Sequence, residues 1–193
     1  MSDEVLVINT AESLAKPKVL EPLPLFNEHY PLLSQKMPEY TETLPNSQMN
    51  TLIERMKLTL KKFGGIGLSA NQVGMPVRMF IIGHEDFNMV CINPKVLMES
   101  DEVEKKDEGC LSFPALFCKI ERPQWINVEF TNEHGQVVQT KLEGLTARCY
   151  LHELDHMNGV KFTSYVGSVA LKMAKAKQEK RIKLAKRRIK NDR

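Results

Sequence analysis

Residues 144–159 read G-L-T-A-R-C-Y-L-H-E-L-D-H-M-N-G. Nothing interrupts a helix from about Thr146 to Asn158, and Gly159 follows as a residue suited to a left-handed cap. Inside the stretch stands His152-Glu153-Leu154-Asp155-His156, an H-E-x-x-H pattern. At about 100° per residue, side chains four apart lie about 40° apart around a helix, so both imidazoles face one way and can grip one metal ion. Glu153 falls on the same side. There its carboxylate can reach a water at the metal without being a ligand, which is where a general base is needed.

A catalytic metal of this kind wants three protein ligands and an open position. Two cysteines qualify. Cys149 lies three residues before His152 on the same helical face, and Cys110 lies in the earlier segment Glu108-Gly109-Cys110-Leu111-Ser112. Helical periodicity does not choose between them. His29, His84 and His134 each stand alone in polar or turn-like settings and read as solvated.

Upstream of the helix, residues 77–142 form short β-rich runs: VRMFII, MVCINPKVLM, LFCKI, WINVEF and VVQTKL. TNEHGQ between the last two reads as a hairpin loop, and the whole as antiparallel sheet. Before them, Asn46 or Ser47 caps a helix whose stripe is Met49, Leu52, Ile53, Met56, Leu60 and Phe63, ending at Gly64 and Gly65. Six of the ten prolines lie in residues 1–45, which excludes long helices and predicts an extended wrapping segment.

The 193 residues, 42% of them hydrophobic, suit one domain. Four irregularly spaced cysteines give no disulfide framework and point to reduced thiols. Acidic residues near the start do not fit a signal peptide, and no apolar run approaches the roughly 20 residues of a membrane span. A soluble, cytoplasmic and monomeric protein is expected. The net charge of +3 conceals an asymmetry: residues 172–193 carry eleven Lys or Arg against Glu179 and Asp192, so a +9 tail follows a body of −6. In that tail Leu171, Ala174, Ile182, Ala185 and Ile189 keep approximate helical spacing, predicting a basic helix that protrudes or docks loosely.

Three separated segments, G-I-G-L-S-A-N-Q at 65–72, E-G-C-L-S at 108–112 and H-E-L-D-H at 152–156, resemble in order the three signature motifs of the peptide deformylase family. The similarity spans about residues 47–165. The resemblance implies an α+β fold in which antiparallel sheets pack around a central helix carrying H-E-x-x-H, with a basic C-terminal helix appended. With the proline and charge distribution it divides the chain into a proline-rich extension (1–45), unusual for the family, a catalytic domain (46–167) and the basic helix (168–193). The implied reaction is metal-dependent hydrolysis of the N-formyl group of nascent formyl-methionyl chains, releasing formate.

Carried over residue by residue, the resemblance makes Cys110 the third metal ligand beside His152 and His156, and moves Cys149 to the substrate pocket. A divalent ion, Fe2+ by family expectation with Zn2+, Ni2+ or Co2+ also accepted by such a site, lowers the pKa of water from about 15.7 toward about 7. Glu153 is the general acid/base, while the Gln72 side chain and the Leu111 main-chain N–H face the developing oxyanion. Ile66, Gly67 and Gly109 lie along the peptide main chain. Ile66, Leu145, Cys149 and the stem of Arg148 line a methionine-sized pocket. Arg122, in a family-like I-E-R-P stretch, is expected to pair with Asp155. Leu151 departs from the family's usual Gln and Ser69 from its common Ala, and Ala115-Leu116-Phe117 lacks the charged or glycine-containing pattern of many members. Bacterial members of the family often dock a C-terminal helix on the ribosome, so the resemblance implies that role for the tail, whose +9 charge suits ribosomal RNA phosphates. Two rivals stand beside this reading: a metallopeptidase of other specificity, and a non-enzymatic RNA-binding protein with a structural metal.

Overall fold

The computed structural model describes residues 19–84 and 87–191. Residues 1–18, the first part of the expected wrapping extension, lie outside them, as does the His84 side chain. The architecture is α+β. Strands β1 (Gly67–Ser69), β2 (Met79–His84), β3 (Phe87–Glu99), β6 (Trp125–Thr131) and β7 (Val137–Glu143) form one antiparallel sheet in the order β1-β2-β3-β6-β7. Strands β4 (Val103–Cys110) and β5 (Phe113–Pro123) form a second, two-stranded antiparallel sheet.

Period-2 alternation divides the larger sheet between two helices. Met79, Ile81, Val90 and Ile92 face helix α1 (Ser47–Phe63), meeting Met49, Leu52, Ile53, Met56 and Leu60. Phe80, Ile82, Cys91, Ile126 and Val128 face helix α2 (Gly144–Met157), meeting Ala147, Cys149, Tyr150 and Met157. Fully burying a side chain such as Met56 or Phe80 contributes about 1.5–3 kcal/mol, so these two layers dominate the stability of the body. On α1, Asn46 accepts from the Met49 N–H at 2.8 Å, and Gly64 ends the helix at φ 68°. Phe63, expected on the buried stripe, is instead 44% exposed, because the last turn of α1 opens onto a cavity.

Gly159, past the end of α2, has φ 72°, and a Cβ there would stand 2.8–2.9 Å from the backbone of Ser34 and Gln35. Only glycine fits that crossing. The crossing is one of the places where residues 19–45 are fastened. Met37 N–H donates to Met157 O at 2.8 Å, Lys36 bridges Asn158, and Lys161 Nζ donates to Glu28 O at 2.8 Å. Leu23, Leu33 and Met37 are buried in the core.

Helix α3 (Ser168–Asn191) begins docked, with Leu171 and Ala174 against Phe113, Leu116, Cys118, Ile120 and Phe162. From Lys183 to Arg188 every side chain is exposed, including Ala185, which the helical spacing had placed with the apolar positions. No helix among the described residues is long and apolar enough to cross a membrane. His29 and His134 are exposed, as their settings imply.

Candidate active site

Helix α2 presents one face of its first three turns, from Leu145 to Glu153, to a cavity of about 780 Å³ that opens between the β1 end of the larger sheet and the β4–β5 sheet. One wall is Ile66, Gly67, Gly109, Leu145, Arg148 and Cys149, so all six residues assigned to substrate contact line it. Gln72, Leu111, His152 and Glu153 line it too. The N-terminal segment adds Leu25 and Phe26, which nothing in the sequence marked; the Phe26 N–H donates to Gln72 O at 2.9 Å.

At the cavity floor one ligand atom each from Cys110, His152 and His156 lies within 4.8 Å of the others. This is the only such His/Cys/carboxylate group among the described residues, and Cys149 is not in it. The fold chooses where periodicity did not. The C-terminal end of β4 carries Cys110 Sγ to 3.3 Å from His156 Nε2, whereas the Cys149 thiol is buried against Gly67, its pKa pushed well up by burial. His152 Nε2 is buried without a hydrogen-bond partner while its Nδ1 lies 3.2 Å from Glu108 Oε2. A buried imidazole with one nitrogen held by a carboxylate and the other left bare fits a metal ligand. Thiolate plus two imidazoles is a donor set for Fe2+, Zn2+, Ni2+ or Co2+. Burial holds the His156 pKa well below its ordinary value, whereas at His152 hydrogen bonds with Cys110 and Glu108 outweigh burial and hold it well above.

Glu153 is 4% exposed, and its Oε2 has no hydrogen-bond partner. Burial pushes its pKa up to about 7, only partly offset by His152. Gly67 makes room for it. A Cβ at Gly67 would stand 2.6 Å from Cys149 Sγ and closer still to Glu153 Oε1. Gly67→Ala is expected to destabilise the protein by about 1–3 kcal/mol through overpacking. It should also displace the carboxylate, and urea unfolding together with formate release checks both effects.

Gln72 is fixed by both ends of its amide. Its Oε1 accepts from Ser69 N–H and Ser69 Oγ, each at 2.9 Å, which turns Nε2 toward Ser112 Oγ at 3.1 Å and Cys110 Sγ at 3.4 Å. Ser69, noted in the sequence only as a departure from the usual Ala, therefore helps aim the amide.

Arg122 pairs with Asp155 at 2.8 Å, as the sequence predicts, and Tyr165 donates to the other carboxylate oxygen at 2.9 Å. The larger partner was not foreseen. Buried Glu108 accepts from Arg122 Nε at 2.9 Å, Arg122 NH2 at 3.1 Å and Arg148 NH1 at 2.8 Å, besides touching His152. Burial alone would raise the Glu108 pKa, but His152 and Arg122 outweigh it and hold it at about 2. Arg148 also donates to Ile120 O and Glu104 O, so its charged head is committed away from the cavity it lines.

Comparison with known proteins bears on this geometry directly. The family model described as Polypeptide deformylase matches residues 22–172, a wider span than the motifs marked. A peptide deformylase of Bartonella henselae is 35% identical over 173 residues, covering 87% of this chain and 93% of its own length. One from Thermotoga maritima is 42% identical over 115 residues, 60% of this chain and 70% of that protein. The crystal structure of the Thermotoga maritima peptide deformylase superposes with a TM-score of 0.73 at 35% identity, over 76% of this chain and 99% of that one. A Synechococcus elongatus peptide deformylase in complex with actinonin gives 0.77 at 32% identity, over 92% and 95%. An Acinetobacter baumannii deformylase bound to Met-Ala-Ser gives 0.74 at 27%, over 77% and 100%. By sequence, motif order and fold, the chain belongs to the polypeptide deformylase family of enzymes.

Proposed function

We propose that the chain removes the N-formyl group from formyl-methionyl peptides by metal-assisted hydrolysis, with Cys110, His152 and His156 as the ligands. The observation that carries this is the convergence of the three ligand atoms beside buried Glu153 at the floor of a largely apolar cavity. A divalent ion bound there, Fe2+ by preference, supplies a Lewis acid that acidifies water and polarises the formyl oxygen. Glu153 takes the proton of the water that attacks the formyl carbon and returns it to the amine as the C–N bond breaks. The products are formate and a free N-terminal methionine. The Gln72 amide, aimed by Ser69, and the Leu111 N–H donate to the oxygen as it gains charge.

Ile66, Leu145, Cys149 and Arg148 form the methionine pocket, and Gly67 and Gly109 admit the peptide main chain. The exposure of Ile66 at 39%, Leu145 at 60% and Phe63 at 44% around the cavity supports an apolar occupant. The Acinetobacter baumannii relative, solved with Met-Ala-Ser, supports a peptide of that kind. The scheme takes residues 46–167 as the catalytic domain with α2 as its central scaffold, residues 1–45 as a wrapping extension and residues 168–193 as a separate basic helix. It places the enzyme in the cytoplasm as a monomer, its tail available to ribosomal RNA.

The test is formate release from formyl-Met-Ala-Ser by metal-loaded protein. Absence of formate with iron, nickel and zinc alike would overturn the reading. Dialysis against a chelator is expected to abolish turnover and re-addition of metal to restore it. Cys110→Ser should bind metal far more weakly, as titration with Co2+ followed by absorbance would show. Retention of a tight, spectrally unchanged cobalt site in that variant would remove Cys110 from the ligand set.

A further inference from the structure

The cavity does not end at the catalytic floor. Phe117 and Asp107 also line an adjoining groove of about 370 Å³, whose other residues are Lys119 and, from α3, Lys177 and Arg181. Three cations there face a single carboxylate. Alternation along β5 puts Phe117 and Lys119 on its outer face, while Leu116, Cys118 and Ile120 are buried beneath. Two side chains of α3 are tied to the cavity wall itself: Gln178 Nε2 donates to Pro114 O at 2.8 Å, and Arg181 NH1 donates to Ala115 O at 3.1 Å. The Arg181 guanidinium lies 5.1 Å from the centre of the Phe117 ring, which is 48% exposed. A cation held over an aromatic face and bonded to a carbonyl has a defined position, unlike exposed Lys183 and Lys186 further along α3. The side chains from Lys183 to Arg188 make no such attachment and are exposed.

We propose that this groove is a subsite for acidic side chains of the substrate peptide downstream of its formylated methionine, with Arg181 and Lys177 as specificity-determining residues. The proposal rests on the deformylase reading of the adjoining cavity. A peptide leaving that cavity past Phe117 enters a field that favours Asp or Glu over Lys, and α3 becomes part of the substrate site. The fixed guanidinium supplies a planar donor for a carboxylate, and Lys177 and Lys119 supply more mobile charge. Asp107 offsets one of the three cations and disfavours none of the neutral side chains.

Steady-state formate release by the metal-loaded full chain tests this with formyl-Met-Ala-Ser followed by Glu-Glu, Gln-Gln or Lys-Lys. At low salt kcat/KM is expected to fall in that order. The Glu-Glu peptide should exceed the Gln-Gln peptide on the order of three- to tenfold, as for a few partly exposed ion pairs, and through KM rather than kcat. Raising the salt toward 1 M, where the screening length is about 3 Å, should bring the ratio toward one. The double variant Lys177→Glu/Arg181→Glu should reverse the order. Equal kcat/KM for the three peptides, or a double variant that keeps the wild-type order, would overturn the proposal. If α3 only braces the wall, the variant lowers all three rates together and leaves their order intact, which overturns it equally. No formate from any peptide would overturn the deformylase reading, and this subsite with it.

Discussion

Glu153→Gln is expected to bind metal as the parent does and to lose turnover by about 10²- to 10⁴-fold, the range for removal of a positioned general acid/base. The substitution is close to isosteric, and Glu153 is not in the ligand trio, so metal content should be unchanged. What it removes is a proton acceptor in an unusual setting. Burial has brought the carboxyl to about pH 7, where it can both take a proton from water and give one to an amine within one cycle. Its unpartnered Oε2 lies at the cavity with no protein donor to satisfy it, leaving it available to a substrate water. Metal analysis, single-turnover formate release and substrate affinity together check the result. Loss of metal in the variant would make Glu153 a structural or ligating residue, and retention of more than a tenth of the parent rate would assign the proton transfer to another group.

The largest expected effect on stability lies one layer behind the proposed ligands. Glu108→Gln removes the one carboxylate shared by two buried guanidiniums and by His152, and should cost about 3–5 kcal/mol, the usual result of stranding buried charge. Arg122 keeps Asp155, but Arg148 keeps only carbonyl oxygens. The same change frees the His152 ring, whose Nδ1–H to Glu108 leaves the Nε2 lone pair for the ion. Loss of such support typically lowers metal affinity about 10- to 100-fold. Because folding depresses the Glu108 pKa from 4.5 to about 2, its contribution is complete above about pH 4.5 and disappears as pH falls toward 2. Urea unfolding at several pH values would show the parent losing stability across that window and the variant losing less. Equal pH slopes for the two proteins would remove Glu108 from this role.

Helices α1 and α2 and strands β2, β3, β6 and β7 were legible because each advertises its own period or its β-branched composition. Strand β4 was not. Its sequence VEKKDEGC is polar, only Glu108 on it is buried, and its strand character comes from pairing with β5. The three residues of β1 carry too little pattern to stand out, and they acquire strand geometry from β2. The same limit governs the site. His152, Glu153 and His156 share one helix, so local geometry relates them, whereas the Cys110 position depends on how β4 turns beneath α2. The role of Glu108 appears only when charges from β4, β5 and α2 are buried together. Leu25 and Phe26 reach the cavity from a proline-rich stretch that has no period at all.

The clasp between residues 36–37 and 157–158 also bears on the order in which the protein assembles. Its companion bond joins Lys161 to Glu28, 133 positions apart. The amide of Asn71 spans the same junction, donating to Leu32 O and to His156 O. During synthesis the early segment emerges long before α2 exists; it can meet Thr59, Gln72, Arg78 and Asn93 first, but not the partners at 157–161. The β2–β3 hairpin and α1 can form from neighbouring residues, but the end of the helix bearing His156 is fastened only after almost the whole body has been made. Contacts of such separation slow folding. The proposed metal site, with Cys110 on β4 and both histidines on α2, can therefore be brought together only when nearly the whole body has been made.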